Sequence, residues 1–204
     1  MSTKLWEASN KLKKNSNLFK FEKFISDRHK KKFNSNYDKM HDWSIKKSEY
    51  FWNSIWDYAK VKDKKNEIKI KKSSKFYKNT FLPNSKLNFT ENLLSKNTNE
   101  KAITFISENG FRETKNWRDL NINVKKIASF LKKIKIKRKD RVVAYMPNIS
   151  ETVEAFLGTV ALGAVWSSCS PDFGINGVVE RFSQIKPKIL FVTNEYFYNG
   201  KRIN

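Results

Sequence analysis

Arg141 to Gly174 reads RVVAYMPNISETVEAFLGTVALGAVWSSCSPDFG, the least charged and most apolar stretch of the chain. Val142 to Met146 is an apolar run of strand length, suited to a strand buried on both faces. Pro147 and Asn148 break it. Val153, Phe156, Leu157, Val160 and Ala161 then recur at the spacing of a helix lying on a sheet. Ser150 stands where an N-cap belongs, with Glu151 favourable in the first turn. Gly163 stands where a left-handed residue closes a helix. Ala164 to Ser168 is a second short strand, ended by Pro171. The order strand, helix, strand predicts one parallel crossover unit.

Working outward toward the N-terminus, Asn116 precedes Asp119 by three in a variant of the capping box. Leu120, Val124, Ile127, Ala128, Leu131 and Ile134 continue at helical spacing, which predicts a helix from about Trp117 to Ile134. Ala102 to Ile106 reads as a strand. Asn109-Gly110 is a type I′ hairpin signal that folds the segment from Phe111 back beside it. Asn88 begins a short turn of helix. Toward the C-terminus, Asn176 is a candidate cap for a helix carrying Val178, Phe182 and Ile185. That helix closes before Pro187, and Lys188 to Val192 is a third strand. The fold class is therefore α/β: a helical preface, then the first half of a doubly wound parallel sheet, an incomplete domain. The expected division is 1–79 and 80–204.

Residues 1–79 are lysine-coated and mostly helical. Leu18, Phe21, Ile25 and His29 form one helical face, with Ser16 as its cap. Ser44, after Trp43, is a candidate cap for the stripe Phe51, Trp52, Ile55, Trp56 and Ala59. An aromatic stripe at this spacing is core packing. Ile68-Lys69-Ile70 is a short alternation, read as a loop or an edge strand.

The chain has 204 residues, 39% hydrophobic and 30% charged, a size that suits one domain or a little more. The single cysteine, Cys169, excludes an internal disulfide and fits a reducing compartment. No apolar run reaches the length of a membrane span, and the first residues lack the apolar core of a secretory signal. A cytoplasmic location with no membrane partner is expected. Lys and Arg number 42 against 20 acidic residues, a net charge of +22. That suggests nucleic acid, but only 7 of the 42 are arginine, the residue favoured for bidentate recognition. Lys, Asn, Ile and Phe together are also what an A/T-rich coding sequence supplies. Specific nucleic-acid binding is set aside, though a basic coat attracts polyanions weakly.

Ligands of open α/β sheets bind outside the carboxyl ends of the strands. Three loops qualify: Pro147 to Ser150, Cys169 to Asn176, and Thr193 to Arg202. The first two lead into helix N-termini, which attract anions, and the third carries Lys201 and Arg202 beside Gly200. Catalytic groups are scarce. There is no GxxxxGK[ST], GxGxxG, GxSxG, HExxH or CxxC. His29 and His41 are spaced for neither a metal nor a nucleophile. Cys169, Ser167, Ser168 and Ser170 lack a base partner. No catalytic residue and no metal ligand are assigned.

KLWEAS, HDWSIKKSEYFWNSIWDY, LNFTENLL, the opening block and ERFSQIKPKILFVTNEYFYNGK together resemble the adenylate-forming acyl-CoA synthetases. Within them, WSSCSPDFG followed by YNGK is similar to the acetoacetate–CoA ligases. The resemblance runs over the whole chain and covers roughly the first third of such an enzyme. It implies an acid–thiol ligase using ATP, CoA and Mg²⁺ on acetoacetate through an acyl-adenylate. It also implies that Ser170, Pro171 and Asp172, with Tyr198, Asn199, Gly200, Lys201 and Arg202, lie on the CoA side. The phosphate loop, the adenine and ribose motifs, and the domain with the catalytic lysine fall beyond Asn204, so this chain by itself is expected to be inactive. The alternatives are a truncated non-catalytic product or a basic nucleic-acid-binding module. Where the family usually has glycine before the first core strand, this chain has Lys135 and Lys139. Turns of positive φ there would cost lysine about 1 kcal/mol each.

Overall fold

The computed structural model describes residues 5–62, 70–83 and 85–203. Two compact units result, 1–87 and 88–204. In the first, α1 (Asn10–Asn15), α2 (Asn17–His29), α3 (Tyr37–Lys46) and α4 (Ser48–Tyr58) precede a two-residue ladder. That ladder pairs β1 (Ile70–Lys71) antiparallel with β2 (Thr80–Phe81). Ile70 of the alternation read from the sequence is thus in a strand, while Ile68 and Lys69 lie outside the described residues. Ser16 caps α2 as its spacing predicts, accepting from Phe19 N. Ser44 does not cap α4. It lies inside α3, where its hydroxyl donates to the His41 carbonyl, and α4 starts four residues later without a side-chain cap.

The core of this unit is Phe21, Ile25, Phe33, Met40 and Trp43, joined by Phe51, Ile55 and Tyr58. The aromatic stripe is packing, with Trp56 buried, Phe51 and Ile55 half-buried, and Trp52 and Ala59 exposed. His29 belongs to the same packing. It tilts against Trp43, meets Tyr50 edge-on, and shares a 2.8 Å hydrogen bond with Ser54 Oγ. Burial, then the Arg28 charge, pushes its pKa below the ordinary histidine value.

The second unit opens with α5 (Phe89–Leu93), capped by Asn88 as expected. An antiparallel hairpin of β3 (Lys101–Ile106) and β4 (Arg112–Asn116) follows. Then come α6 (Trp117–Lys133), β5 (Arg141–Tyr145), α7 (Ser150–Ala161), β6 (Val165–Cys169), α8 (Ile175–Ile185) and β7 (Ile189–Val192). A last hairpin joins β8 (Tyr196–Tyr198) to β9 (Lys201–Ile203). The three core strands form a parallel sheet in the order β6-β5-β7. Val142, Trp166, Ile189 and Phe191 meet residues of α6 and of the α7 end on one face. Val143, Tyr145 and Cys169 meet Val178, Phe182 and Ile185 of α8 on the other. Helices on opposite faces of successive crossovers make this the first half of a doubly wound sheet, as the sequence predicts.

Two expected caps of the second unit also fail. Ser150 is the first residue of α7, with Ile149 at the cap, and its hydroxyl instead donates to Glu113 at 2.7 Å. Asn176 lies within α8, whose cap is Gly174. Both errors share a cause: the side chain could cap, but a tertiary partner or an earlier chain bend placed the boundary elsewhere.

Helix ends close in left-handed residues. Gly163 has φ +69°. Lys135 has φ +66° after α6, and Ile136 N donates back to Leu131 O, a Schellman closure whose two apolar residues are both buried. Lys139 has φ +70° inside the turn closed by Asp140 N on Lys137 O. Both lysines therefore carry the strain anticipated for them. Lys135→Gly and Lys139→Gly should each stabilise the unit by about 1 kcal/mol, read as a rise in urea midpoint at constant m. A loss of stability would show that the lysine side chains make compensating contacts.

Candidate functional site

β5 sends its chain over one face of the sheet and β6 sends its chain over the other, and in open α/β sheets ligands bind outside the carboxyl ends of such strands. Two elements wall it. Pro147–Ser150 leads into α7, and Ser170–Gly174 leads into α8. The second loop is held by two tyrosines. Tyr145, the last residue of β5, directs its hydroxyl at the Pro171 carbonyl at 2.6 Å, with the Phe173 carbonyl 3.0 Å away. Tyr196, at the start of β8, donates to the same Pro171 carbonyl at 3.2 Å. Burial pushes the Tyr145 hydroxyl pKa up, helped by Tyr196, Asp172 and Cys169, so it remains a donor. Arg181 of α8 lies over the Phe173 ring at 4.5 Å and supports the loop from its outer side.

The eight residues named from the sequence therefore differ in what they can offer. Pro171 is buried and its carbonyl is taken, whereas Ser170 and Asp172 on either side are exposed. Tyr198 pairs with Lys201 across the last hairpin. Asn199 and Gly200 form its turn with φ of +51° and +71°, both left-handed, which is the two-residue type I′ geometry. The Gly200 N–H donates to Glu108 Oε2 at 3.1 Å, tying this turn to the tip of the β3–β4 hairpin. Arg202 is committed to Glu195 through Nε at 2.7 Å and a second guanidinium contact. Lys201 is exposed and has no ion pair among the described residues.

The structure links the two groups through Tyr196, which reaches Pro171 from the root of the hairpin, while the turn points to Glu108. Beside them lies a depression of about 790 Å³. Ile103, Phe105 and Phe111 line one wall, Pro147 to Ser150 and Val153 another, and Glu195, Tyr196 and Phe197 a third. Sequence reasoning missed Tyr145, Tyr196, Glu108 and Glu195. Tyr145 had a usable signal: a tyrosine at the end of a buried strand needs a partner for its hydroxyl. The two glutamates carried no local signal.

Comparison with known proteins decides the family. The model of the AMP-binding enzyme family matches residues 91–202, more than half of the chain. The chain belongs to the AMP-binding enzyme family. It is 37% identical over 198 residues to the acetoacetyl-coenzyme A synthetase of Rhizobium meliloti (strain 1021), covering 97% of this chain and 30% of that protein. It is 35% identical over 173 residues to the malonamoyl-CoA synthetase of Penicillium aethiopicum, covering 81% of this chain and 24% of that protein. The solved acetoacetyl-CoA synthetase from Streptomyces lividans superposes with a TM-score of 0.91 at 27% identity, over 100% of this chain and 32% of that one. The chain thus spans about a quarter to a third of the relatives it matches. Among the described residues no helix is long and apolar enough to cross a membrane.

Proposed function

We propose that this chain is the N-terminal portion of an acetoacetate–CoA ligase. The activity of such an enzyme is ATP + acetoacetate + CoA → acetoacetyl-CoA + AMP + pyrophosphate, run in the cytoplasm with Mg²⁺. One observation carries the reading: nearly the whole chain aligns at 37% identity with an acetoacetyl-coenzyme A synthetase. Residues 80–204 are read as the start of the adenylate-forming domain, and residues 1–79 as the helical region that precedes it. ATP and Mg²⁺ are assigned to the remainder of the enzyme, since the residues present offer no phosphate loop.

CoA carries phosphate groups, and the donor chemistry of the last hairpin fits one. Among the described residues Lys201 has no ion pair, whereas the Arg202 guanidinium is occupied by Glu195. Ser170 and Asp172 stand exposed on the loop that Tyr145 and Tyr196 hold. The role of this chain is to position that loop and hairpin on the CoA side, not to perform the acyl transfer.

A chimera tests both parts. This chain replaces the matching segment of the Rhizobium meliloti enzyme, and acetoacetate-dependent AMP release is followed with CoA varied. Activity is expected, and Lys201→Gln should raise the KM for CoA about fivefold with kcat little changed, the cost of one solvent-exposed charge pair. The same substitution at Arg202 should have a smaller effect on KM. A folded chimera that activates malonamate in preference to acetoacetate would overturn the substrate. The unfused chain should give no acetoacetate-dependent ATP–pyrophosphate exchange.

A further inference from the structure

The amino ends of the sheet strands lie opposite the candidate site and carry a different chemistry. α6 buries Leu120, Val124 and Leu131, and its opposite side faces solvent. That outer arc is not uniformly polar. Ile122 is 45% exposed, Phe130 50% and Ile134 40%, with Lys126 and Lys133 between them on the same arc. The helix then ends in Lys132 and Lys133, and the turn that follows carries Lys135, Lys137, Arg138 and Lys139, all exposed. Lys132 to Arg141 holds seven basic residues and one acidic one. The acidic residue, Asp140, is already engaged by Lys188 at 2.9 Å and by the Lys137 N–H at 2.8 Å. The patch is therefore an uncompensated cationic surface with apolar side chains standing in it.

We propose that this face, the outer arc of α6 with the Lys132–Arg141 turn, binds the surface of an anionic lipid bilayer. Clustered lysines attract anionic headgroups without requiring directional contacts, and apolar side chains among them insert at the headgroup boundary. The composition favours this over nucleic acid. Five of the six cations of the helix end and turn are lysine, whereas bidentate reading of phosphate or base edges favours arginine. The inference concerns peripheral adhesion and needs no membrane-spanning segment.

Sedimentation of the full chain with vesicles of phosphatidylcholine containing 30% phosphatidylserine tests the proposal. Binding is expected to the mixed vesicles, to be absent with pure phosphatidylcholine, and to weaken steeply with salt. Replacing Lys132, Lys133, Lys135 and Lys137 by glutamine should lower partitioning more than about fiftyfold. Phe130→Ser leaves the net charge unchanged and should still lower it about fivefold. The matched control replaces Lys23, Lys30, Lys31 and Lys32 by glutamine, an equal loss of charge on α2 and just after it. An equal effect from that control would overturn the site and leave only a general basic coat. Indifference to Phe130→Ser, with duplex DNA retained more tightly at the same salt, would overturn the bilayer in favour of nucleic acid.

Discussion

Lys115→Met should destabilise the second unit by about 3 kcal/mol, because it leaves a buried carboxylate unpaired. Lys115 projects from β4 with its side chain 12% exposed, and its ammonium lies 3.0 Å from Glu151 and 3.0 Å from Glu154, the latter carboxylate only 7% exposed. Asn123 of α6 donates to the same Glu154 oxygen at 2.8 Å. Three elements are thus pinned at one point just below the start of α7. Glu154 cannot retreat to water when its partner is removed. Lys115→Met combined with Glu154→Gln should recover most of the loss, since the neutral amide needs no counter-ion.

The same cluster sets a pH dependence. Burial disfavours the Glu151 charge, but Lys115 and the hydrogen bond from its own backbone N–H together outweigh it and hold the Glu151 pKa below the ordinary glutamate value. A depressed pKa contributes stability that is present above the unfolded value and lost as pH falls through the folded one. Burial likewise opposes the Lys115 charge, but its bonds to Glu151 and Glu154 outweigh that and hold its pKa above the ordinary lysine value. That contribution is present below the unfolded lysine value and lost as pH rises through the folded one. Both are in full effect at neutral pH. Urea midpoints should decline in acid in the window just below the ordinary glutamate pKa, and Lys115→Met should flatten that decline. An unchanged acid slope in the variant would mean that Lys115 does not govern Glu151.

Gly158→Ala should cost about 3 kcal/mol although alanine is the better helix former. A Cβ built at Gly158 falls 2.5 Å from Ile127 Cγ2, 2.8 Å from Ile127 Cβ and 3.2 Å from the Ala128 backbone nitrogen. Turning the isoleucine side chain relieves only the first of these, so α6 and α7 must move apart. That separation would open the cluster of Leu120, Val124 and Leu157. The sign is diagnostic. Helix propensity alone predicts a gain of roughly 1 kcal/mol, so a variant as stable as the parent in thermal unfolding would refute the close crossing.

Much of the second unit is legible locally. The β5–α7–β6–α8–β7 order follows from strand-length apolar runs alternating with helical periodicity. Asn116 and Asn88 cap where their spacing says, because an N-cap bond spans three residues and needs no distant partner. Gly163 and Lys135 close helices because a left-handed residue there satisfies the last carbonyls. The loops at the carboxyl ends of β5 and β6 are named correctly from chain order alone.

What the local pattern does not explain depends on partners remote in sequence. β4 reads Arg-Glu-Thr-Lys-Asn and has no apolar residue. It is a strand because Phe105 pairs with Glu113 and Ile103 with Lys115, and because α7 supplies partners for both charges. The two Asn-Gly pairs that sit in hairpin turns make the same point. Asn109 lacks a positive φ, and only Gly110 is left-handed, because Ser107 pairs with Phe111 and leaves a three-residue loop. Such a loop takes a type I turn with a bulge at glycine. At Asn199-Gly200 the pairing of Tyr198 with Lys201 leaves two residues, so the type I′ turn expected at the first pair occurs at the second.

By itself, then, the sequence determined the α/β class, the parallel crossovers, the caps at Ser16, Asn88 and Asn116, and the family, all of which rest on patterns within about twenty residues or on motif identity. Only the tertiary structure decided the turn types, the clamp of Tyr145 and Tyr196 on Pro171, and the capture of Arg202 by Glu195 beside a Lys201 with no ion pair among the described residues. The physical reason is the range of the interactions. Capping and amphipathic spacing act between neighbours along the chain, whereas register and charge pairing are set by whichever residue the packed sheet and helices bring within about 3 Å.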